Sequence, residues 1–227
     1  RKQSGRPCAR NMEKTPSEQP RSPLSVAIIT LNEAEHLPDC LKSVSFAAQI
    51  VVVDSGSTDD TVRIARDSGC DVHLEPWQGG FGKQKQFAVD HCRQPWILVL
   101  DADERIPIET AGKIIEIVAN PSPPADGYSF PRKNFFQGRW IRHAGWWPDR
   151  VTRLFRKGRG DMTPAAVHEA VSVKGAVIPL DCPSSTKPKA TSPASSLRST
   201  NIPHSVRRRP LPKDGGQPPE ARYTVRA

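Results

Sequence analysis

The segment WILVLDADER, residues 96–105, constrains the fold of this chain more than any other, because an apolar run with β propensity ends in carboxylates. The run is typical of a strand buried on both faces, and Asp101, Asp103 and Glu104 follow it. Open α/β sheets bind ligands at the carboxyl ends of their strands. Two carboxylates one residue apart suit a divalent cation held together with substrate phosphates. Taken alone, however, such a pattern is more often an ordinary strand end followed by an acidic turn.

Strand–turn–helix units upstream of this segment favour the ligand site. The first, SVAIITLNE at residues 25–33, is a buried strand that breaks into a polar turn before a helix. The second, QIVVVDSGSTDDT at residues 49–61, ends in a carboxylate, a glycine-containing turn and residues that favour a helix start. A third and weaker unit begins near residue 70. Strands that alternate with helices predict an α/β protein with a doubly wound, predominantly parallel sheet.

Four motifs occur in order along these units. Thr-Leu-Asn-Glu follows the first strand, Val-Asp-Ser-Gly-Ser-Thr-Asp ends the second, Gly-Phe-Gly-Lys-Gln occupies residues 80–84, and Asp-Ala-Asp ends the fourth strand. Together they resemble the inverting family-2 glycosyltransferases of the GT-A fold, and within them the β-glucosyltransferases of lipopolysaccharide core biosynthesis. The resemblance covers about Leu24 to Asp181. It implies a Rossmann-like GT-A sheet flanked by helices, and a metal-dependent hexosyltransferase activity.

The resemblance also implies that polar side chains at the strand ends bind the nucleotide sugar. These side chains are Thr30, Asn32, Glu33, Asp54 and Asp101. The alternative is a role in the turns, which Asn, Asp, Ser and Thr favour for local reasons. Lys83, in the glycine-containing loop, is a candidate for a cationic contact to the pyrophosphate or the sugar. Lys85 is as readily explained as a solvated surface charge.

A divalent cation is expected beside the Asp-Ala-Asp motif. A diphosphate leaving group gains negative charge as the glycosidic bond breaks, and Mg²⁺ or Mn²⁺ held by carboxylates stabilises that charge. By the resemblance, the first aspartate of the motif faces the ribose and the last faces the metal. Asp103 is therefore the expected metal ligand, with Asp101 beside it, and Glu104 is expected to point into solvent.

The catalytic base is expected in the less regular second half of the chain. Enzymes that this sequence resembles carry a His-Glu pair where VHEAV stands here, which makes Glu169 the candidate base. Asp149, in WWPDR, is the alternative. With one base and no second nucleophile evident, a single in-line displacement would invert the anomeric carbon and turn an α-linked donor into a β-linked product.

Aromatic and arginine side chains are concentrated in this same half. The aromatic faces suit sugar rings and the arginines suit phosphates, although filling the core explains each aromatic residue equally well. The resemblance implies UDP-glucose as donor and a heptose of the lipopolysaccharide inner core as acceptor. Such an anionic acceptor would draw the enzyme peripherally to the inner membrane. The side chains concerned are Phe135, Phe136, Trp140, Trp146, Trp147, Arg150, Arg153 and Arg156.

A net charge of +9 would by itself suggest a nucleic-acid or anionic membrane partner. The surplus lies at the ends, however, with +4 in residues 1–23 and +7 in residues 183–227, while residues 24–182 carry −2. A slightly acidic domain has no built-in surface for a phosphate backbone. We therefore expect no nucleic-acid partner.

The same three segments define the expected domain organisation. Residues 24–182 are long enough for one glycosyltransferase domain with a hydrophobic core. Residues 1–23 and 183–227 are rich in Pro, Ser, Lys and Arg without apolar periodicity, which predicts disordered basic tails. Two hypotheses concern these ends. The first is that the native start is Met12. The second is that a frameshift or truncation replaced the family's C-terminal segment, with a natural linker as the alternative.

Targeting and redox signals favour the cytoplasm. The sequence has no run of roughly 18 apolar residues and no apolar signal-peptide core. Its 5 cysteines are odd in number and lack zinc-site spacing, which fits a reducing compartment.

Two other functions are consistent with parts of the sequence. A haloacid-dehalogenase-type phosphatase would use the first aspartate of a D-x-D-x-[TV] motif as nucleophile, but Arg105 occupies the last position here. A chain that had lost its C-terminal segment would instead bind a nucleotide sugar without catalysis. Assays of donor hydrolysis, nucleotide binding and phosphomonoester hydrolysis would separate the three possibilities.

Overall fold

The structure, a computed structural model, covers most of the predicted domain. Three predictions concern residues that lie mainly outside the described part. They are the disorder of the tails, the start at Met12 and the origin of the C-terminal segment. The regular structure reaches slightly past the predicted domain boundaries, since strands are found at Ser22 and as far as Thr186. The described residues are 21–133, 135–136, 139–143, 147–163 and 169–186.

Strands and helices alternate through the first half of the chain, as predicted, and strands dominate the second half. The elements are β1 (Ser22–Thr30), α1 (Leu37–Ser43), β2 (Ala47–Asp54), α2 (Thr61–Asp67), β3 (Asp71–Leu74), α3 (Phe81–Asp90), β4 (Trp96–Asp101), β5 (Glu104–Arg105), α4 (Ile108–Ala119), β6 (Gly127–Lys133), β7 (Phe135–Phe136), β8 (Arg139–Trp140), β9 (Asp149–Arg156), β10 (Gly160–Met162), β11 (Val171–Val173), β12 (Val177–Pro179) and β13 (Ser184–Thr186).

A central sheet of 9 strands runs in the order β3-β2-β1-β4-β9-β6-β13-β5, with β12 also paired to β6. Strands β1 to β4 are mutually parallel, which confirms the predicted first half of the sheet. β9 then inserts antiparallel between β4 and β6. The register places Thr30 opposite Asp54 and Ile29 opposite Asp101. The carboxyl ends of β1, β2 and β4 therefore meet at one edge of the sheet.

Helices cover both faces of the sheet. Val26 of β1 packs in a core cluster that includes Leu37 of α1 and Ile114 of α4. Ala27, the next residue, packs on the opposite face in a cluster that includes Ala88 of α3. Because β1 is buried on both sides, it reads as a nearly continuous apolar run. No helix in the described stretches is long and apolar enough to cross a membrane.

Candidate active site

The carboxylate of Asp54 organises the turn after β2. It is buried, and its Oδ1 accepts hydrogen bonds from the backbone N–H groups of Gly56 at 3.0 Å and Ser57 at 2.8 Å. Its Oδ2 accepts from the hydroxyl groups of Thr30, at 2.8 Å, and Ser57. A carboxylate has about four acceptor sites, so these donors use its capacity. In this structure Thr30 and Asp54 therefore hold the turn together, and their contact with a nucleotide stays a prediction.

The loop after β1 is joined to the loop after β2. Asn32 has a positive φ of 55°, and its Oδ1 accepts from the N–H of Thr58 at 2.8 Å. The N–H of Asn32 donates to Oγ of Ser57 at 2.8 Å, and the N–H of Glu33 donates to Oγ1 of Thr61 at 2.8 Å. The polar residues expected in a nucleotide pocket thus hydrogen-bond the two loops to each other at the strand ends.

Lys85, on α3, lies at the centre of the site. Only 5% of the residue is exposed, and its Nζ lies 2.7 Å from Oδ1 of Asp101 and 2.9 Å from Oε1 of Glu169. The interpretation of Lys85 as a solvated surface charge is therefore wrong. Lys83 is exposed instead. Residues two positions apart in a helix differ by about 200° around its axis, so the side chains of Lys83 and Lys85 point in different directions.

The charges around Asp101 perturb each other. Burial opposes the ionised form of Asp101, but Lys85 and Arg153 outweigh this effect and hold its pKa well below the ordinary value. Burial likewise opposes the charge on Lys85, and Asp101 and Glu169 reverse the effect, so that its pKa is raised. Both groups are held in their charged forms.

Glu104 is buried, with 1% of the residue exposed, which corrects the expectation that it points into solvent. Its Oε1 lies 2.7 Å from Nη2 of Arg153 and 4.0 Å from Nη1 of Arg132. The reason is tertiary, since β9 carries Arg153 to a place beside β4, where its guanidinium compensates the charge of the buried Glu104 carboxylate. The same Nη2 lies 3.0 Å from Oδ2 of Asp101. Burial raises the pKa of Glu104 despite the attraction of Arg153.

Arg132 extends these contacts to the second candidate base. Its Nη2 lies 2.6 Å from Oδ2 of Asp149, and its Nε donates to the same oxygen at 3.0 Å. The site is thus a continuous series of ionic contacts, which we call the ion-pair row. Its members, in order, are Glu169, Lys85, Asp101, Arg153, Glu104, Arg132 and Asp149.

The β10–β11 hairpin brings Glu169 to α3. The N–H of Met162 donates to Oε1 of Gln86 at 2.7 Å, which ties the hairpin to the helix. A Cβ atom at Gly82 would lie 2.5 Å from the carbonyl oxygen of Thr163 and 3.6 Å from Cβ of Glu169. Gly82 is therefore needed for the close approach. His168, the neighbour of Glu169 in the His-Glu pair, lies outside the described residues.

The Asp-Ala-Asp turn fits a divalent cation only together with a substrate. The described stretches contain no group of three or more His, Cys, Asp and Glu side chains that could hold a metal. Both oxygens of Asp101 face cations, Lys85 and Arg153. Mg²⁺ is usually held by one or two carboxylates plus substrate phosphates. Asp103 as the metal ligand of this turn stays a prediction.

Other side chains of this chain pack on an aromatic ring that was predicted to stack on a sugar. The guanidinium of Arg142 lies 4.1 Å from the ring centroid of Trp140, and Nζ of Lys133 lies 5.1 Å from it. Trp147 packs edge-on against the same ring at 5.1 Å. Trp146 and the side chain of Phe136 lie outside the described part.

Sequence reasoning missed Lys85 and Arg153 as members of the site. Helical periodicity contains a signal for Lys85, because it shares the buried face of α3 with Gly82, Ala88 and Val89. No comparable local signal exists for Arg153. The sequence predicts a substrate phosphate as its partner, whereas the structure pairs Arg153 with two carboxylates of this chain.

The fold and the acidic strand ends agree with a class of enzymes that act on nucleotide sugars, and the family comparison is decisive. The family model for glycosyl transferase family 2 matches residues 25–174. The chain therefore belongs to glycosyl transferase family 2. This confirms the family inferred from the four motifs.

Within the family, this chain is similar to the lipopolysaccharide core biosynthesis glycosyltransferase LpsC of Rhizobium meliloti (strain 1021). The two are 38% identical over 170 residues, which cover 70% of this chain and 60% of LpsC. The chain thus spans less than two thirds of the length of that relative.

Solved structures are also similar over part of the chain. S. aureus TarS 1-349 in complex with UDP-GlcNAc is 20% identical, with a TM-score of 0.44, and the match covers 59% of this chain and 45% of that one. Glucosyl-3-phosphoglycerate synthase from Mycobacterium tuberculosis, with Mn²⁺, UDP-glucose and phosphoglyceric acid, is 27% identical with a TM-score of 0.33. That match covers 37% of this chain and 34% of the synthase.

Proposed function

We propose that this chain transfers glucose from UDP-glucose, with inversion, onto a saccharide of the lipopolysaccharide inner core. The observation that carries the proposal is the ion-pair row, which joins Asp101 at the end of β4 to a carboxylate on the β10–β11 hairpin. Membership of family 2 and the 38% identity to LpsC support the reaction class and the acceptor class. The sugar and the exact acceptor are the finer parts of the proposal.

On the donor side, the nucleotide would lie across the strand ends, with its diphosphate beside the Asp-Ala-Asp turn. Asp103 would hold Mg²⁺ or Mn²⁺ together with the phosphates. The metal, when bound, supplies positive charge where the leaving group becomes more negative. Lys85 contributes a second, fixed cation beside Asp101, at 2.7 Å.

On the acceptor side, Glu169 would remove the proton from the attacking hydroxyl group. The acceptor oxygen then bonds to the anomeric carbon from the face opposite the diphosphate. The bond between that carbon and the phosphate oxygen breaks, and its electron pair leaves with UDP. The proton passes from Glu169 to solvent. Asp149, at the other end of the ion-pair row, is the alternative base.

The ion-pair row would also position the base. Glu169 lies two residues before β11 and in no helix or strand, so its carboxylate needs a partner to be held at a defined place. Lys85 supplies that partner, because the same Nζ contacts Asp101 and Oε1 of Glu169. Lys85 would thus fix the position of the base relative to the donor site, which is the type of preorganisation that favours catalysis.

The deciding experiment compares UDP binding with consumption of UDP-glucose, with and without Mg²⁺ or Mn²⁺. Binding of UDP by calorimetry together with metal-dependent release of UDP from UDP-glucose is the expected result. No binding of UDP, with or without metal, would reject the proposal. A panel of other UDP-sugars tests the choice of glucose separately.

A second candidate is a domain that binds a nucleotide sugar without turnover. Binding of UDP without release of UDP from any donor would select this candidate. The phosphatase alternative needs Asp101 as nucleophile, but Lys85 and Arg153 face both its oxygens. Hydrolysis of a phosphomonoester would be its signature.

A further inference from the structure

Two large aromatic side chains are exposed beside the start of α3. Trp77 is 46% exposed and Phe81 is 43% exposed. Their rings pack edge to face, with centroids 4.8 Å apart and an interplanar angle of 70°. Neither belongs to the hydrophobic core, so burial on folding does not explain them. Adjacent exposed aromatic rings are typical of binding surfaces.

The start of α3, which carries Phe81, also packs against the candidate base. Phe81 is the first residue of α3, and Lys85 follows it by four residues, so both side chains lie on one face of the helix. The Nζ of Lys85 is 2.9 Å from Oε1 of Glu169. Gly82, directly after Phe81, approaches Glu169 closely, since a Cβ atom there would be 3.6 Å from Cβ of Glu169. An acceptor hydroxyl at Glu169 therefore places the rest of its sugar near the aromatic pair.

The loop that carries Trp77 is anchored to the helix. The buried side chain of Gln84 donates from Nε2 to the carbonyl oxygen of Glu75 at 2.8 Å. Glu75 in turn donates its backbone N–H to the carbonyl oxygen of Asp54 at 2.9 Å, which ties the loop to the end of β2. Glu75, two residues before Trp77, is thus held between α3 and the end of β2. A surface held in this way binds with a smaller loss of conformational entropy.

We propose that Trp77 and Phe81 form the platform on which the acceptor saccharide binds, a proposal that rests on the transferase function above. The two rings offer flat, uncharged surfaces, which match the apolar C–H face of a sugar ring and cannot neutralise a phosphate. They differ in this respect from Trp140, over which the guanidinium of Arg142 lies at 4.1 Å. The ligand of the platform is therefore a carbohydrate ring rather than the diphosphate of the donor.

The test measures saccharide binding and transfer in the full chain. The probe is delipidated inner-core oligosaccharide of lipopolysaccharide, titrated calorimetrically in the presence of UDP. Trp77→Ala and Phe81→Ala should each weaken its binding by about tenfold and raise its KM in transfer by a similar factor. Affinity for UDP and the thermal unfolding midpoint should stay at wild-type values. Trp77→Phe, which keeps a flat ring, should retain most of the binding.

Ile108→Ala is the matched control, because Ile108 is 89% exposed and lies on α4, which packs in a different core cluster from α3. It should bind the oligosaccharide as the wild type does. Three outcomes would each overturn the platform: both alanine variants bind the oligosaccharide as the wild type does, they lose UDP affinity as much as oligosaccharide affinity, or the wild type does not bind the oligosaccharide. So would loss of association with phospholipid vesicles while oligosaccharide binding is kept, which would make the pair a membrane contact.

The same measurements keep the two proposals apart. Oligosaccharide binding that depends on Trp77 and Phe81 supports the platform even if no donor is consumed. If no donor is consumed, the transferase function is rejected and the platform is kept. Transfer that does not depend on the aromatic pair keeps the transferase and rejects the platform.

Discussion

The Nζ of Lys85 lies 2.9 Å from Oε1 of Glu169, although 84 residues separate them in the sequence. This contact joins a helix of the strand–turn–helix half to a hairpin of the antiparallel half. Through Asp101 and Arg153 the contact continues to Glu104 beneath the Asp-Ala-Asp turn. The two halves of the domain therefore meet in one set of paired charges.

Replacement of Lys85 by methionine should destabilise the fold. It leaves the half-buried carboxylates of Asp101 and Glu169 without this cation, and because solvent reaches both, the loss should stay below the roughly 3 to 5 kcal/mol of a fully buried pair. Urea denaturation measures the loss. Lys83→Met is the matched control and should change the free energy of unfolding by no more than about 0.5 kcal/mol, because Lys83 is exposed. Equal effects of the two changes would contradict the placement of Lys85.

Asp103→Asn and Asp101→Asn should differ in kind. Asp103→Asn should remove the dependence of UDP-glucose affinity on Mg²⁺ or Mn²⁺. Asp101→Asn should reduce stability, because Lys85 and Arg153 lose a shared partner. Calorimetry with and without metal, alongside denaturation, tests both. Metal-dependent binding that survives in Asp103→Asn would remove that residue from the metal site.

Glu169→Gln should separate binding from turnover. The amide can still accept a hydrogen bond from Lys85 but cannot take the acceptor's proton, so transfer should fall by roughly 10² to 10⁴ while UDP-glucose affinity stays close to wild type. Steady-state transfer and calorimetry on the same preparation give the comparison. Asp149→Asn is the counterpart at the other end of the row, and a larger loss of transfer there would move the base to Asp149.

Asp54→Ala should lower stability as well as nucleotide affinity. The change removes the acceptor of hydrogen bonds from Thr30, Gly56 and Ser57, and unmet donors of this kind cost about 1 to 3 kcal/mol. Thermal denaturation and UDP calorimetry measure the two effects. A loss of UDP affinity with unchanged stability would instead show that Asp54 serves the nucleotide directly.

Acid should remove the contribution of Asp101 to stability. Its pKa in the fold lies well below the ordinary value of 3.8, so the ionised form is favoured by folding. The sign follows from linkage, because a lowered carboxyl pKa stabilises the fold at higher pH and that stabilisation is lost as the pH falls. The difference in free energy of unfolding between wild type and Asp101→Asn should be constant above about pH 5 and shrink below pH 3.8. A difference that grows on acidification would contradict the pairing.

The sequence by itself determined the order of strands and helices in the first half and the positions at which the strands end in carboxylates. These features are local, because apolar runs and turn residues act within a few positions of each other. The sequence also identified Asp101, Asp103 and Glu169 as candidate residues, through motifs that family membership supports. Their roles remain predictions.

Only the tertiary structure decided how the charges pair. Lys85 rather than Lys83 enters the site because α3 turns that face toward the β10–β11 hairpin. Glu104 is buried because β9, which inserts next to β4, supplies Arg153 as its partner. The cost of burying a charge depends on which opposite charge the fold brings beside it, and residues far apart in the sequence carry no local signal of that meeting.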